Sequence, residues 1–270
     1  MDLRDAHLRL VDEIREQMFF LTAAYPMTES GATLESLSEL FEALGICHLL
    51  TRLEAGQFRE NLLRSGHARR YYLRKSREQH NLGDHRLALS RCDGFLAALA
   101  AGDIALAFDI ASLSVEEWHP AWEYEDDFCF FLFLHDLVRR SRGVETPSPL
   151  AVIDRFHKAL EGQAAPRLEV CRALSSGDAG NFADALAALM EAKQEESDGR
   201  RIVVPDTDVA FWPRSFVSVE GLALLKAAEL ANLPVDREFP LCPPDGRLCT
   251  QESSSEDLFA SLEEALAADR

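Results

Sequence analysis

The sequence is short of positive charge. Its 270 residues carry 28 Lys and Arg against 46 Asp and Glu, a formal net charge of −18 at pH 7 with histidine neutral. A surface this negative repels nucleic-acid phosphates and anionic membranes, so neither is expected as a partner, and a basic protein is. Long apolar runs are missing too. The most apolar stretch, residues 128–134, has seven residues, far below the roughly 20 that cross a bilayer. The N-terminus, Met1-Asp2-Leu3-Arg4-Asp5, places acids where a secretory signal has a basic start and an apolar core, so a cytoplasmic protein is expected. Segments that alternate apolar and polar residues are nearly absent, which argues against sheets.

Signatures of chemistry are equally scarce. The chain has no Gly-rich phosphate loop and no nucleophile elbow of Gly-x-Ser-x-Gly spacing. Its eight histidines (7, 48, 67, 80, 85, 119, 135 and 157) include no pair at i, i+4, and none joins a cysteine at zinc-finger spacing. Cys47 and His48 are adjacent, so on a helix they point about 100° apart. Six cysteines (47, 92, 129, 171, 242 and 249) are scattered through a chain too long to need staples. They read as reduced, buried thiols; Cys129, between Phe128 and Phe130, is a poor candidate nucleophile. Cys242 and Cys249 can pair, although nothing in the spacing requires it. No metal and no cofactor is expected.

What is present is a folded composition, 47% hydrophobic and 27% charged, enough for one large core or two modest lobes. The charge is uneven. Residues 52–91 hold ten basic and four acidic residues, a net of +6, which leaves −24 on the rest of the chain. Two readings stand for this block. Its helices pack beside acidic ones and the charges cancel, or it receives an anion or the acidic patch of a second copy, which makes a homodimer conceivable. Tyr71 and Tyr72 beside Arg69, Arg70 and Arg74 have the interleaving of a nucleic-acid surface, but the −18 background argues against that use.

Apolar residues recur at helical spacing almost throughout, predicting an all-α protein of antiparallel hairpins in a two-lobed array. Leu3, Leu10, Ile14, Met18 and Leu21 mark a first helix, ended by Tyr25-Pro26. Leu34, Leu37, Leu40, Phe41 and Leu44 mark a second, which Thr33 can cap. A third runs over 57–79 and carries the basic block. Asp84 can cap a helix through Ala88, Cys92, Phe95 and Leu99. Gly102-Asp103 suits a helix end followed by a helix start. The pattern Leu99-Ala-Ala-Gly102-Asp103 with Phe108 returns as Leu174-Ser-Ser-Gly177-Asp178 with Phe182, each after a cysteine, at 92 and 171. Duplication and convergence on good turn chemistry both account for it.

His119-Pro120 precedes an aromatic helix expected over 122–140, acidic at its start and basic at its end, as the helix dipole favours. Residues 143–149 then connect two halves, 1–142 and 149–270, of one continuous unit. The second half is expected to hold helices near 149–161, 166–175, 179–196 and 218–232. Between them lies a loop-like gap at 197–213, whose residues 201–205 are the only strand candidate, followed by irregular chain at 240–246. A final helix is marked by Leu258, Leu262 and Leu266.

The densest constellation is Glu116, Glu117, Trp118, His119, Trp122, Glu123, Tyr124, Glu125, Asp126 and Asp127. On a helix Glu123 and Asp127 share a face, and paired carboxylates can do acid-base work or hold a divalent metal. A second reading is an acidic helix start with aromatics packed beneath it. A third is a partner-binding patch formed by Glu116, Glu117, Trp122, Glu123, Tyr124, Glu125, Asp126 and Asp127, in which aromatic anchors supply contact energy and carboxylates steer a basic protein.

Residues 96–103, Leu-Ala-Ala-Leu-Ala-Ala-Gly-Asp, and then 122–128, Trp-Glu-Tyr-Glu-Asp-Asp-Phe, leading into an aromatic helix, resemble the all-helical immunity proteins of bacterial polymorphic toxin systems, and among them immunity protein 49. The hairpin at Gly177-Asp178, the segment 218–225 and the closing Phe239-Pro-Leu-Cys-Pro243 continue the likeness, which covers roughly residues 84–245. The resemblance implies a non-enzymatic protein that binds a cognate toxin and blocks it. Together with the charge and the expected cytosolic location it points to a toxin with a basic surface, such as a nuclease, whose active site the acidic body occludes. The alternative is a TPR-like helical scaffold or regulator that binds a peptide or host protein. A helical metal-dependent hydrolase built on Glu123 and Asp127 is a third class.

Overall fold

Apolar residues spaced three and four apart give each segment one face to bury, and the segments satisfy one another by pairing as helices. The computed structural model describes residues 2–22, 27–205, 207–247 and 257–260. Among the described residues the fold is all-α, and the nearest approach to a strand is an isolated bridge between Phe239 and Cys242. The helices are α1 (Leu3–Thr22), α2 (Met27–Arg52), α3 (Ala55–Glu78), a single 3-10 turn (His85–Leu87), α4 (Asp93–Ala100), α5 (Ile104–Leu113), α6 (Glu125–Ser141), α7 (Pro149–Ala159), α8 (Pro166–Ser176), α9 (Ala179–Arg201), α10 (Phe211–Arg214), α11 (Val219–Leu230) and α12 (Pro244–Arg247).

Consecutive helices pack as hairpins, but the chain also folds back on itself: α11 lies against α4 and α6, and α10 lies against α2 and α1. In a solenoid each unit touches only its neighbours. These returning contacts place the C-terminal helices against the N-terminal ones. Helix α6 sits among α5, α7, α8 and α11. That is why its run 128–134, the most apolar stretch of the sequence, is buried throughout in a central core helix. Among the described residues no helix is long and apolar enough to cross a membrane. Helices α3 and α4 cross so closely that a Cβ on Gly94 would stand 2.5 Å from the Cβ of Arg69 and 2.8 Å from the Ser65 carbonyl oxygen.

The two Gly-Asp junctions have the expected chemistry. Gly102 and Gly177 both take the left-handed conformation at φ +74°. Asp103 accepts a hydrogen bond from the Leu106 N–H at 2.9 Å, and Asp178 from the Asn181 N–H at 3.0 Å, so each aspartate caps the next helix. The likeness stops there, because Cys92 precedes α4 whereas Cys171 lies inside α8.

Several boundaries differ from the sequence expectation. Helix α2 begins at Met27, so Thr33 is interior and caps nothing. Asp84 caps only the 3-10 turn, through the Arg86 N–H, and α4 starts afresh at Asp93. Residues 201–205 form no strand: α9 continues to Arg201 and a turn follows, while α10 occupies part of the expected gap. Local β-branched residues lost to the momentum of a long helix whose neighbours offer no edge to pair with. The break at Tyr25-Pro26, Cys249, Leu262 and Leu266 lie outside the described residues.

Six cations of the basic block are spent on ion pairs with carboxylates and three of its arginines on backbone. Arg59 donates to the Ala101 carbonyl at the end of α4, and Arg77 to those of Leu113 and Ser114 at the end of α5. Arg69, buried, donates to the Arg86 and Ala88 carbonyls around the 3-10 turn. Helix ends carry orphan carbonyls with partial negative charge, and α3 supplies the cations that satisfy them. Ion pairs of Arg64 with Glu60 and of Arg70 with Asp109 and Asp257 neutralise more of it.

Candidate functional site

Helix α6 begins at Glu125, not at Trp122, and this changes what the acidic residues do. Tyr124 occupies the cap position in an extended conformation, so Glu123 lies before the helix and does not share a face with Asp127. Its carboxylate turns back and accepts hydrogen bonds from the N–H groups of Ser90 at 2.8 Å and Leu89 at 3.2 Å. The Glu123 carbonyl in turn accepts from the Trp118 indole at 3.2 Å, and the His119 and Trp122 rings lie 4.1 Å apart. Glu123 therefore fastens the 115–124 loop to the segment after the 3-10 turn. The expectation of a Glu123/Asp127 acid-base or metal pair loses its geometric basis. Among the described residues no group of three or more His, Cys, Asp or Glu is placed to hold a metal ion.

The remaining members separate into engaged and available groups. Asp127 pairs with Arg167 at 2.7 Å, and Arg167 also donates to both oxygens of buried Glu220, at 2.8 and 2.9 Å. Lys193 adds a contact to Glu220 at 2.9 Å. Burial opposes ionisation of Glu220, but these two cations hold its carboxyl down at about 2. Glu125 pairs with Arg155 at 2.7 Å. Glu116 pairs with Arg139 at 2.9 Å, at the far end of α6 from Glu125, and the intervening helix is on the order of 20 Å long. Glu116 is thus contiguous with the cluster in sequence and not in space. Glu117 and Tyr124 are exposed, Tyr124 to 80%. Trp122, Glu123, Tyr124 and Asp127 do come together, lining a cleft of about 550 Å³ with Ser90 and Arg91.

A second site escaped the sequence. Between α2, α4, α9 and α10 lies a polar cleft of about 400 Å³. Arg214, on short α10, reaches into it and meets Glu42 at 2.8 Å, Asp93 at 3.0 Å and Glu39 at 3.7 Å. One guanidinium thus faces three carboxylates. Burial pushes the Glu42 carboxyl up to about 7, and burial also raises Glu39. Glu35, Glu39 and Glu42 stand at i, i+4 and i+7 on α2, a carboxylate stripe on one helix face that was visible in the sequence. Nothing local announced Arg214, 172 residues from Glu42.

The described thiols are poorly placed to act as nucleophiles. The five described cysteines, at 47, 92, 129, 171 and 242, are buried and free, and burial pushes Cys47, Cys129 and Cys242 up to about 12.

Among the described residues the fold is all-helical, and its clefts are lined by carboxylates and aromatics. The family model described as Immunity protein 49 matches residues 37–245, and the chain belongs to that family. The match starts within α2 and so includes α3 and the basic block, well before residue 84. No curated protein and no solved structure matches the chain.

Proposed function

We propose that this immunity protein is a non-enzymatic inhibitor that acts in the cytoplasm by binding a cognate toxin with a basic surface, such as a nuclease, and occluding its active site. Family membership makes a toxin the partner class, and the observation that carries the finer reading is the charge of −18 combined with Tyr124, exposed to 80%, in one cleft with Glu123 and Asp127 and next to Glu125 and Asp126 in the chain. An aromatic anchor with carboxylates on one side supplies contact energy and long-range attraction for a basic partner. The same field repels nucleic acid and anionic lipid. The basic block does not compete for this role, because much of it is engaged inside the chain.

The partner-binding set drawn from the sequence divides by what each side chain already does. Tyr124, Asp126 and Glu117 supply the contact and the steering. Trp122 and Glu123 shape the cleft wall, and Glu125, Asp127 and Glu116 contribute field while paired. The test is co-expression with the product of the adjacent gene, where immunity and toxin genes normally lie together. The two proteins should co-purify and growth should be restored. Continued toxicity with no complex would refute the reading.

A further inference from the structure

Two of the clefts described above are linked by a third. A narrow cleft of about 140 Å³ shares Glu39 and Asp93 with the Arg214 cleft, and shares Ser90 and Arg91 with the Trp122 cleft. Each of the two larger clefts thus adjoins the middle one, which is the smallest of the three. We propose that they form one groove that receives an extended, basic segment of the toxin, with a lysine or arginine of that segment seated between Glu39 and Asp93. The inference rests on the reading of the chain as a toxin inhibitor and names the part of the toxin that it grips.

Charge complementarity selects the occupant. Nine carboxylates and five cationic side chains line the three clefts. The excess is largest in the Arg214 cleft, with six carboxylates to three cations, and at the waist, where Arg69 and Arg91 also line the wall, Glu39 and Asp93 share the guanidinium of Arg214 with Glu42. Glu39 and Asp93 keep 41% and 37% of their side chains exposed, so an entering cation can reach both. Such a cation adds the charge that the three carboxylates lack, in a recess where water screens it less than on an open surface. The ends of the groove favour a peptide over a small cation. Tyr124 and Trp122 flank one end. At the other, Phe211 lines the wall, and Phe216, stacked under Arg201, is 41% exposed beside the cleft residue Ser215. A narrow waist between two wider clefts, each with aromatic side chains at its wall, fits an extended chain whose basic side chain is bracketed by apolar ones.

The test uses the full chain and the adjacent gene's product, with three variants. Glu39→Lys places a tethered cation at the waist, Ser90→Tyr adds bulk where two clefts meet, and Glu145→Lys makes the same charge change in the exposed loop beyond the far end of α6. Each is first checked for an unchanged thermal transition. Toxin affinity should fall about tenfold or more for Glu39→Lys and Ser90→Tyr, and by less than about twofold for Glu145→Lys. A labelled peptide of alternating lysine and alanine, followed by fluorescence anisotropy at about 50 mM salt, should bind the parent chain and Glu145→Lys but not Glu39→Lys. If the parent neutralises the toxin while all three variants bind it equally, the groove is overturned and the inhibitor reading stands. If the parent neither binds nor rescues, the inhibitor reading itself falls. Equal loss of peptide binding in Glu39→Lys and Glu145→Lys would reduce the effect to overall charge and also overturn the groove. Should Glu39→Lys fail to fold, Ser90→Tyr and the peptide titration of the parent decide.

Discussion

Arg214 Nε lies 2.8 Å from Glu42 Oε1 and so joins α10 to α2 across 172 residues of sequence. The pair is more than a tie between helices, because Glu42 is 5% exposed and has Glu39 and Asp93 as close neighbours. Removing one partner of a buried ion pair leaves the other charge stranded and costs about 3–5 kcal/mol. Glu42 has an escape, since it can take a proton. Arg214→Met should therefore cost stability on the order of 3 kcal/mol at pH 8 and much less at pH 5. Urea unfolding of the variant at the two pH values measures this. An equal loss at both would mean that Arg214 acts through packing alone.

The same carboxylate sets a pH dependence of the parent chain. Glu42 has an ordinary value of 4.5 when unfolded and about 7 when folded, so the native state holds its proton more tightly. The associated stability is fully present below pH 4.5 and is lost as pH rises through 7. Glu42→Gln mimics the protonated form and should remove that slope, with a gain at pH 8 that is bounded by about 3 kcal/mol. Melting curves of both proteins from pH 5 to pH 8 provide the comparison. A variant whose curve stays parallel to the parent's would show that Glu42 remains ionised beside Arg214.

Glu123 and Asp126 are neighbours in the acidic cluster but should fail in different ways. Glu123 holds the N–H groups of Leu89 and Ser90, and truncating it leaves two half-buried donors without that partner, at a cost on the order of 1 kcal/mol. Glu123→Ala should lower the melting temperature and loosen the 115–124 loop. Asp126→Lys should lower the melting temperature only by the few degrees that a reversed charge in the first turn of α6 costs and act mainly on toxin association, most strongly at low salt. Stopped-flow association rates across a salt series, set beside melting curves, separate the two. A stable Glu123→Ala with slowed association would return that residue to the binding surface.

The contrast between those residues shows what the sequence carried. Periodicity found the helices because each must bury one face, and Gly102-Asp103 and Gly177-Asp178 were legible because a left-handed turn and a capping carboxylate are local needs. The dipole-matched ends of α6 were legible for the same reason. Thr33, Asp84 and Trp122 misled because a plausible cap or start is a local preference, and tertiary packing moved each boundary. The basic block had a use that composition does not reveal, since the carbonyls it satisfies belong to helix ends 17–42 residues away. The acidic cluster was read as a single patch. Pairing with Arg139 draws Glu116 to one end of α6 while Asp127 and Arg167 meet at the other. Arg214 had no local signature, and the waist of the groove depends on it.

His135 gives a test of the core that is independent of any partner. It is 2% exposed, its ring centre lies 4.0 Å from that of Phe95, and neither ring nitrogen has a hydrogen-bond partner among the described residues. Burial, reinforced by Arg139 and Arg69, drives its pKa well below 6.5, so the folded state holds it neutral. Its unfolded form titrates at 6.5, which means that stability is intact above that value and declines as pH falls below it. A neutral imidazole still strands a donor and an acceptor, each at a cost of about 1–3 kcal/mol. His135→Phe keeps the ring stack and removes both, so it should raise stability by about 1–2 kcal/mol at pH 7. The gain should widen toward pH 5, where the parent alone loses stability. Denaturant midpoints at the two pH values check both parts. A variant less stable than the parent at pH 7 and unchanged in its acid limb would show that the imidazole is hydrogen-bonded in the core after all.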